Sequence, residues 1–322
     1  MRLAFNRPHD VKGGVNRKLK IGVIGAGVFG TYHASKCLAH PQIDLIGIYD
    51  HTYHRANKIA AQHKTQSFSA FEDMLSHVDA VVIASPAQSH GDLAIKALEA
   101  GVHCLIEKPI AATLSDAARI AELAKTKNLI VQVGHQERFI MQAIGVDKIA
   151  ERPTVTTAFR MNPYSPRGTD VSVTLDLMIH DLDLLTFLTQ ERPSKILGTT
   201  VKIRTDSSDA SLAFIEFPSG CRARLHASRV EDDYRRTMDI TYPSGTVSID
   251  FNAKTLTHNT PFDLNADFAQ TPIAKDSLGA ATNAFVDAIL NDKPVPITAQ
   301  DGYKALEMAL IIDRGIPWEN VE

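Results

Sequence analysis

Cysteine is scarce in this chain: three residues in 322, at Cys37, Cys104 and Cys221. They are far apart, odd in number and form no Cys-x-x-Cys pair. That excludes a disulfide framework, a zinc finger and a thioredoxin-type redox motif, and leaves three free thiols expected to pack as small hydrophobes. Long apolar runs are missing too. No stretch approaches the ~20 residues needed to span a bilayer. The polar, basic segment 1–20 lacks the apolar core of a secretory signal. A reducing cytoplasm is therefore the expected location. Nor is there a surplus of one charge: 34 Lys and Arg against 37 Asp and Glu leave −3. Binding governed by phosphate neutralisation needs a basic excess, so neither nucleic acid nor membrane is expected as a partner. No low-complexity tract is present, and no repeat at the ~20–50-residue period of solenoids. What remains is an ordinary globular mixture, 44% hydrophobic and 22% charged, with length for about two domains of roughly 150 residues.

The first half alternates apolar runs with amphipathic stretches. The runs 20–24, 43–49, 80–84, 102–106 and 129–133 read as buried strands. Helical patterns separate them at 29–40, 53–63, 91–100 and 115–127, with Ser115 as the expected N-cap of the last. Strands apolar throughout and separated by helices predict βαβ units in a parallel sheet covered on both faces. After about Phe139 the strands alternate instead. In 210–217, Leu212, Phe214 and Glu216 share one face; in 221–228, Arg222, Arg224 and His226 do. The turns Pro218-Ser219-Gly220 and Pro243-Ser244-Gly245 predict hairpins, and helices return at 278–290 and 299–314. The fold expected is α/β: a nucleotide-binding unit over 1–136, then an α+β unit over 137–322 with an open, mainly antiparallel sheet.

The sequence Gly25-Ala26-Gly27-Val28-Phe29-Gly30 follows a strand and opens a helix. In that context G-x-G-x-x-G is a dinucleotide motif. The first glycine permits the tight turn, the second lets backbone approach a pyrophosphate, and the third lets helix and strand pack closely. The helix N-terminus then offers unpaired N–H groups to the phosphates. Asp50, ending the second strand, can accept hydrogen bonds from ribose hydroxyls and would repel a 2′-phosphate, which favours NAD; His51 and Arg55 nearby leave NADP open. Asp50 can also cap the following helix, and the two roles can coexist.

Two further segments carry chemistry. Glu107-Lys108-Pro109 follows a strand, at the carboxyl edge where ligands of open α/β sheets bind. Lys108 there can hold a substrate hydroxyl. The segment 174–188 is almost wholly apolar apart from Asp176, His180, Asp181 and Asp183. A wheel at 100° per residue puts His180 about 40° and Asp183 about 20° from Asp176. A stripe of this kind on a buried helix predicts that Asp176 orients His180 and keeps it basic, suiting proton transfer near neutral pH. Asp176-x-x-x-His180-x-x-Asp183 could instead ligate a divalent ion, but no other ligand motif accompanies it, and no metal is expected. A third segment, 159–170, contains Arg160, Tyr164 and Arg167 and leads directly into that helix. With two prolines and a glycine it reads as a shaped loop rather than a central strand. Arg160 and Arg167 are expected to take phosphate, with Arg224 as a weaker third, and Tyr164 to stack on a base; the alternative is that these arginines pair with surface carboxylates, of which 37 acidic residues offer many.

These pieces resemble, in order, the Gfo/Idh/MocA oxidoreductases: GAGVFG at 25–30, Asp50, SPAQSH at 85–90, EKP at 107–109, GHQERF at 134–139 and Asp176-x-x-x-His180. The resemblance extends to the closing stretch 294–315 and so spans nearly the whole chain. It implies an N-terminal Rossmann domain and a C-terminal domain whose open sheet mediates assembly into a homodimer or homotetramer. It also implies NAD(P)-dependent hydride transfer at a sugar or cyclitol hydroxyl. Lys108, Asp176 and His180 inherit catalytic roles; Val28, Phe29, Ser85, Pro86, His90, Glu107 and Lys108 inherit placement at the cofactor. Asp170-Val171-Ser172-Val173 stands where many members have Gly-Gly. The run from Arg167 to Leu185 is most similar to the subgroup that oxidises position 3 of UDP-N-acetylglucosamine. The expected substrate is thus a sugar or UDP-sugar. The rival readings are an NAD-using glycoside-cleaving enzyme and a non-catalytic sugar or nucleotide sensor of the same fold.

Overall fold

A computed structural model describes residues 17–166 and 168–315. The first half alternates strand and helix as its apolar runs predict: β1 (Leu19–Ile24), α1 (Val28–Ala39), β2 (Ile43–Tyr49), α2 (Tyr53–His63), β3 (Gln66–Phe68), α3 (Phe71–Leu75), β4 (Ala80–Ile83), α4 (His90–Glu99), β5 (His103–Ile106), α5 (Leu114–Thr126) and β6 (Val131–Val133). The six strands form one sheet in the order β3-β2-β1-β4-β5-β6, every pair parallel. Connections leave β1 in one direction and β4 in the other, and that reversal opens a crevice at the carboxyl ends of these two strands. Ile21, Val23, Ala80 and Val82 are buried because helices cover both faces. Ser115 does not cap α5. The helix starts one residue earlier, at Leu114, which packs on the core, and the Thr113 side chain accepts the Asp116 N–H at 3.1 Å. β3 had no readable pattern, being only three residues long.

The second half contains α6 (Glu137–Ile144), β7 (Val155–Met161), a π-helical turn (Thr174–Met178) running into α7 (Ile179–Thr189), β8 (Lys195–Val201), β9 (Ala210–Glu216), β10 (Arg222–Ser228), β11 (Arg235–Tyr242), β12 (Gly245–Asp250), β13 (Thr255–His258), α8 (Pro272–Lys275), α9 (Ser277–Leu290) and α10 (Ala299–Arg314). Its seven-stranded sheet has the order β13-β12-β11-β7-β10-β9-β8 and is antiparallel except for the parallel pair β7 and β10. The expected hairpins are present, β9–β10 and β11–β12.

The segment 159–170 is not a loop throughout. Its first three residues are not loop; they end β7, the middle strand of this sheet. The prolines at 163 and 166 lie beyond the strand and do not interrupt it, so turn residues marked the segment's end rather than its character.

One face of the second sheet is packed. Ala158, Ala213, Ile215, Ala223, Leu225, Met238 and Ile240 are buried; the π turn lies against β7, β9 and β10, and α10 against β8. The opposite face carries Val155, Val201, Leu212 and Phe214, all exposed, the last to 55%. The final helices return to the first sheet. Phe285, Val286 and Ile289 of α9 share a core with Ile21, Val23 and Ile48, and the Val133 N–H donates to Ile297 O at 3.0 Å. All three cysteines are free and buried. Burial pushes the Cys37 thiol up to about 12 and Cys221 up to about 11. Among the described residues no helix is long and apolar enough to cross a membrane.

Candidate active site

The crevice end of the first sheet is made of backbone. Gly25 has φ +101°, and a Cβ there would stand 2.6 Å from Ala84 O. A Cβ on Gly30 would stand 1.8 Å from Gly25 O, so only glycine lets α1 pack against the turn. Gly27 differs: its Cβ direction meets nothing within 4 Å. The side left open is where a pyrophosphate would approach. No side chain caps α1, so its first N–H groups are left for that ligand. Val28 and Phe29 are exposed at this end. Asp50 is buried beside the turn. Its Oδ2 accepts the Ala26 N–H and its Oδ1 the Thr52 N–H, each at 2.8 Å. Asp50 therefore ties the glycine turn to the end of β2; it does not cap α2, whose N-cap is Thr52 and carries no side-chain cap bond. The residues present fit a dinucleotide.

Two residues expected at the cofactor, His90 and Glu107, are buried and bonded to neighbouring protein groups. The ring nitrogens of His90 lie 2.7 Å from Pro109 O and 2.8 Å from Ser85 O. Burial outweighs these two contacts and lowers its pKa, and the ring fastens the turn after β4 to the turn after β5. Ser85 hydrogen-bonds Ser89, whose hydroxyl donates to Pro86 O, which shapes the same turn. Glu107 is buried with Oε1 2.8 Å from His33 Nε2 of α1. Burial raises its pKa, but His33 and Lys108 outweigh that and hold it low. Both residues lie in the turn just after β5, where Glu107 faces His33 of α1 and Lys108 faces Asp176.

Lys108 reaches across to the second unit. Its Nζ donates to Asp176 O at 2.6 Å and to Asp176 Oδ1 at 3.0 Å. Burial raises the Asp176 pKa, yet Lys108 and then His180 bring the net shift below the usual carboxylate value. Asp176 is thus the lysine's partner. The expectation that it orients His180 fails, because residues 174–178 form a π turn, where the 100° step does not apply.

His180 is oriented by Glu137, from the GHQERF segment. Nδ1 lies 2.6 Å from Glu137 Oε2, an ion-pair distance, with an alignment short of a hydrogen bond. Such contacts commonly tighten once substrate is in place. Arg160 supports the pair from behind. Its Nη1 donates to Glu137 Oε1 at 2.9 Å, while Nε and Nη2 hold both oxygens of Asp181 at 3.0 and 2.8 Å. Burial opposes charge on Glu137, but His180 and Arg160 hold it well below its ordinary value. Burial lowers the His180 pKa more than Glu137 raises it, so the ring is a neutral base near pH 7. His135 packs edge-on to His180 at 6.3 Å with both ring nitrogens unpartnered; burial and Arg138 push it down to about 3.

This arrangement corrects three more expectations. Arg160 is 1% exposed and ion-paired with both Asp181 and Glu137, so it is not available to a phosphate. Asp183 does not extend the stripe; it forms two bonds with Arg138, at 2.8 and 2.7 Å. Arg224 stands over the Phe159 ring at 5.5 Å, on the sheet face opposite Arg160. Tyr164 is exposed, with the Arg204 guanidinium 5.3 Å over its ring. Arg167 lies outside the described residues. The residues that sequence reasoning missed are Glu137, His33 and His135. Glu137 sat inside a quoted motif, and a buried base in need of a carboxylate was the available signal.

Proton-handling groups set against a dinucleotide crevice are the equipment of a hydride-transfer enzyme, and comparison with known proteins narrows the class. Residues 19–135 match the model of the oxidoreductase family with an NAD-binding Rossmann fold, and residues 154–248 match the GFO/IDH/MocA C-terminal domain. The chain belongs to the Gfo/Idh/MocA oxidoreductases, and its dinucleotide is NAD. It is 34% identical over 301 residues to UDP-N-acetylglucosamine 3-dehydrogenase from Acidithiobacillus ferrooxidans, covering 91% of this chain and 95% of that one. A solved structure of that dehydrogenase superposes with a TM-score of 0.86 at 33% identity, over 93% of this chain and 98% of the other. The scyllo-inositol 2-dehydrogenase (NAD(+)) of Bacillus subtilis is 27% identical over 67% of this chain and 68% of its own.

Proposed function

We propose that the enzyme oxidises a secondary hydroxyl of a sugar nucleotide, with position 3 of UDP-N-acetylglucosamine as the reacting centre. The observation that carries this reading is the crossed pair of contacts in the crevice, Lys108 to Asp176 and His180 to Glu137. The substrate class is supported by the dehydrogenase from Acidithiobacillus ferrooxidans, similar over nearly its whole length.

With Nδ1 facing Glu137, Nε2 of His180 carries the free lone pair and takes the hydroxyl proton. The Glu137 carboxylate then stabilises the imidazolium. Lys108 spends two of its three donors on Asp176; the third holds the substrate oxygen and favours its alkoxide character. NAD, when bound, supplies the hydride acceptor. Glu107 and His90 keep the turns under that cofactor in place, and Tyr164 stacks on the base. Residues 1–136 serve as the cofactor unit and 137–322 as the unit for substrate and assembly. The exposed face with Val155, Val201, Leu212 and Phe214 joins a second copy, making a homo-oligomer.

The test is NAD reduction measured with UDP-N-acetylglucosamine, N-acetylglucosamine and myo-inositol. The expected order of kcat/KM puts the nucleotide sugar first. A higher value for the free sugar or the cyclitol, or turnover with no net NADH, rejects the reading.

A further inference from the structure

Arg160 and Arg236 face each other across the β7–β11 ladder, on the packed side of the second sheet. Their circumstances differ. Arg160 has five donors and places three of them on Asp181 and Glu137. Arg236 is half-buried, and among the described residues its side chain makes one hydrogen bond, from Nη2 to Asn162 Oδ1 at 3.5 Å, the edge of hydrogen-bond range. Its Nε is buried with no hydrogen-bond partner among those residues. Among the described residues, no carboxylate forms an ion pair with it. The acidic groups that act on it from farther off are Glu137, Asp176 and Asp181, and each is committed elsewhere: to His180 and Arg160, to Lys108, and to Arg160. Burial and the like charge of Arg160 both work against the Arg236 cation. A partly desolvated guanidinium with an idle fork costs stability unless something completes it.

What completes it must be an anion, and its place is set by the neighbours. Glu137 and Asp176 hold the two groups that act on the substrate hydroxyl. An anion at Arg236 therefore shares the crevice with the reacting carbon. Asn162, the residue touching Arg236, begins the segment that runs to Gly168, where a Cβ would stand 2.6 Å from Asp176 Oδ2. The same stretch of chain thus adjoins both Arg236 and the base of the Lys108 pair.

We propose that Arg236 is the anchor for the substrate's phosphate, binding the diphosphate of the nucleotide sugar while Lys108 and His180 handle the hydroxyl. This rests on the nucleotide-sugar reading above and adds a specificity-determining residue to it. The fork of an arginine matches two phosphate oxygens at once, where a lysine offers a point charge. It replaces Arg160, whose fork is taken.

The experiment uses the full chain with NAD and three forms: wild type, Arg236→Gln and Arg236→Lys. UDP is the probe, as a competitive inhibitor against UDP-N-acetylglucosamine and in calorimetry. The KM for UDP-N-acetylglucosamine and the Kd for UDP are expected to rise about tenfold or more in Arg236→Gln. Arg236→Lys should fall between, because it keeps the charge and loses the fork. KM for NAD and the thermal midpoint should stay near wild type, and kcat should fall by less than about fivefold, since the fork does not touch the proton being moved. If Arg236→Gln leaves both the KM and the UDP affinity within twofold, the anchor is elsewhere and the proposal falls while the nucleotide-sugar reading stands. If wild type neither binds UDP nor prefers the nucleotide sugar, both fall together, and the wild-type data alone reveal it. A rise in the UDP constant with an equal rise for free N-acetylglucosamine would mean a contact to the sugar itself, and would also overturn the phosphate assignment.

Discussion

The two sheets solve their tasks in opposite ways. The parallel sheet is covered on both faces, and its ligand end is built from backbone: a turn that only glycine can make, a helix start without a side-chain cap, and a carboxylate that accepts two backbone amides. The second sheet is covered on one face, and its end of the crevice is built from side chains in charge pairs. Those pairs join residues far apart in sequence: Lys108 with Asp176, Glu137 with Arg160 and His180. A backbone site is local and tolerates little beyond glycine. A side-chain site is distributed, and each member depends on a partner from another element.

Substitutions should separate the two halves. The largest effect is expected for His180→Ala and Lys108→Ala, with kcat lower by about 10²-fold or more for loss of proton-transfer catalysis, and NAD affinity largely kept in His180→Ala. Gly30→Ala should do the reverse, since its Cβ has no room beside Gly25 O: NAD affinity should fall in calorimetry, with catalysis limited by the lost cofactor. Near-normal kcat in either the lysine or the histidine variant would break the division.

A smaller effect sharpens it within the catalytic half. Glu137 raises the His180 pKa against a burial effect that lowers it. The base works when neutral, so kcat/KM rises with pH through that pKa. Removing the carboxylate in Glu137→Gln lowers the pKa further, so the acid limb should move to lower pH, while the misoriented ring costs about tenfold in kcat. Asp176→Asn should move that limb less, because Asp176 is paired with Lys108. A larger displacement for Asp176→Asn would restore the original assignment of these two acids.

The least effect on chemistry is expected from the open face. Phe214→Glu should reduce the oligomer mass seen by light scattering at micromolar concentration and leave the active-site pairs intact, since Phe214 points away from Arg160. A strictly monomeric wild type would refute assembly through this face.

How much of this was legible depended on distance along the chain. Up to residue 133 the strands and helices other than the short β3 and α3, together with the glycine turn and the hairpin at Pro218-Ser219-Gly220, follow from periodicity and turn chemistry, which act between neighbours. Lys108 and His180 stood out as candidates because each lies in a short stretch whose polarity contrasts with its surroundings, and the structure pairs them with Asp176 and Glu137. By itself, then, the sequence determined the class of both sheets and the cofactor turn, because each depends on a pattern a few residues long. Only the tertiary structure decided the partners. A π turn shifted Asp176 away from His180 and onto Lys108; β7 proved a central strand and buried Arg160 against Asp181 and Glu137; the turn after β5 set Glu107 against His33 of α1. The physical reason is that buried charges must be paired, and which carboxylate answers which base is settled by strand register and helix phase across elements tens of residues apart.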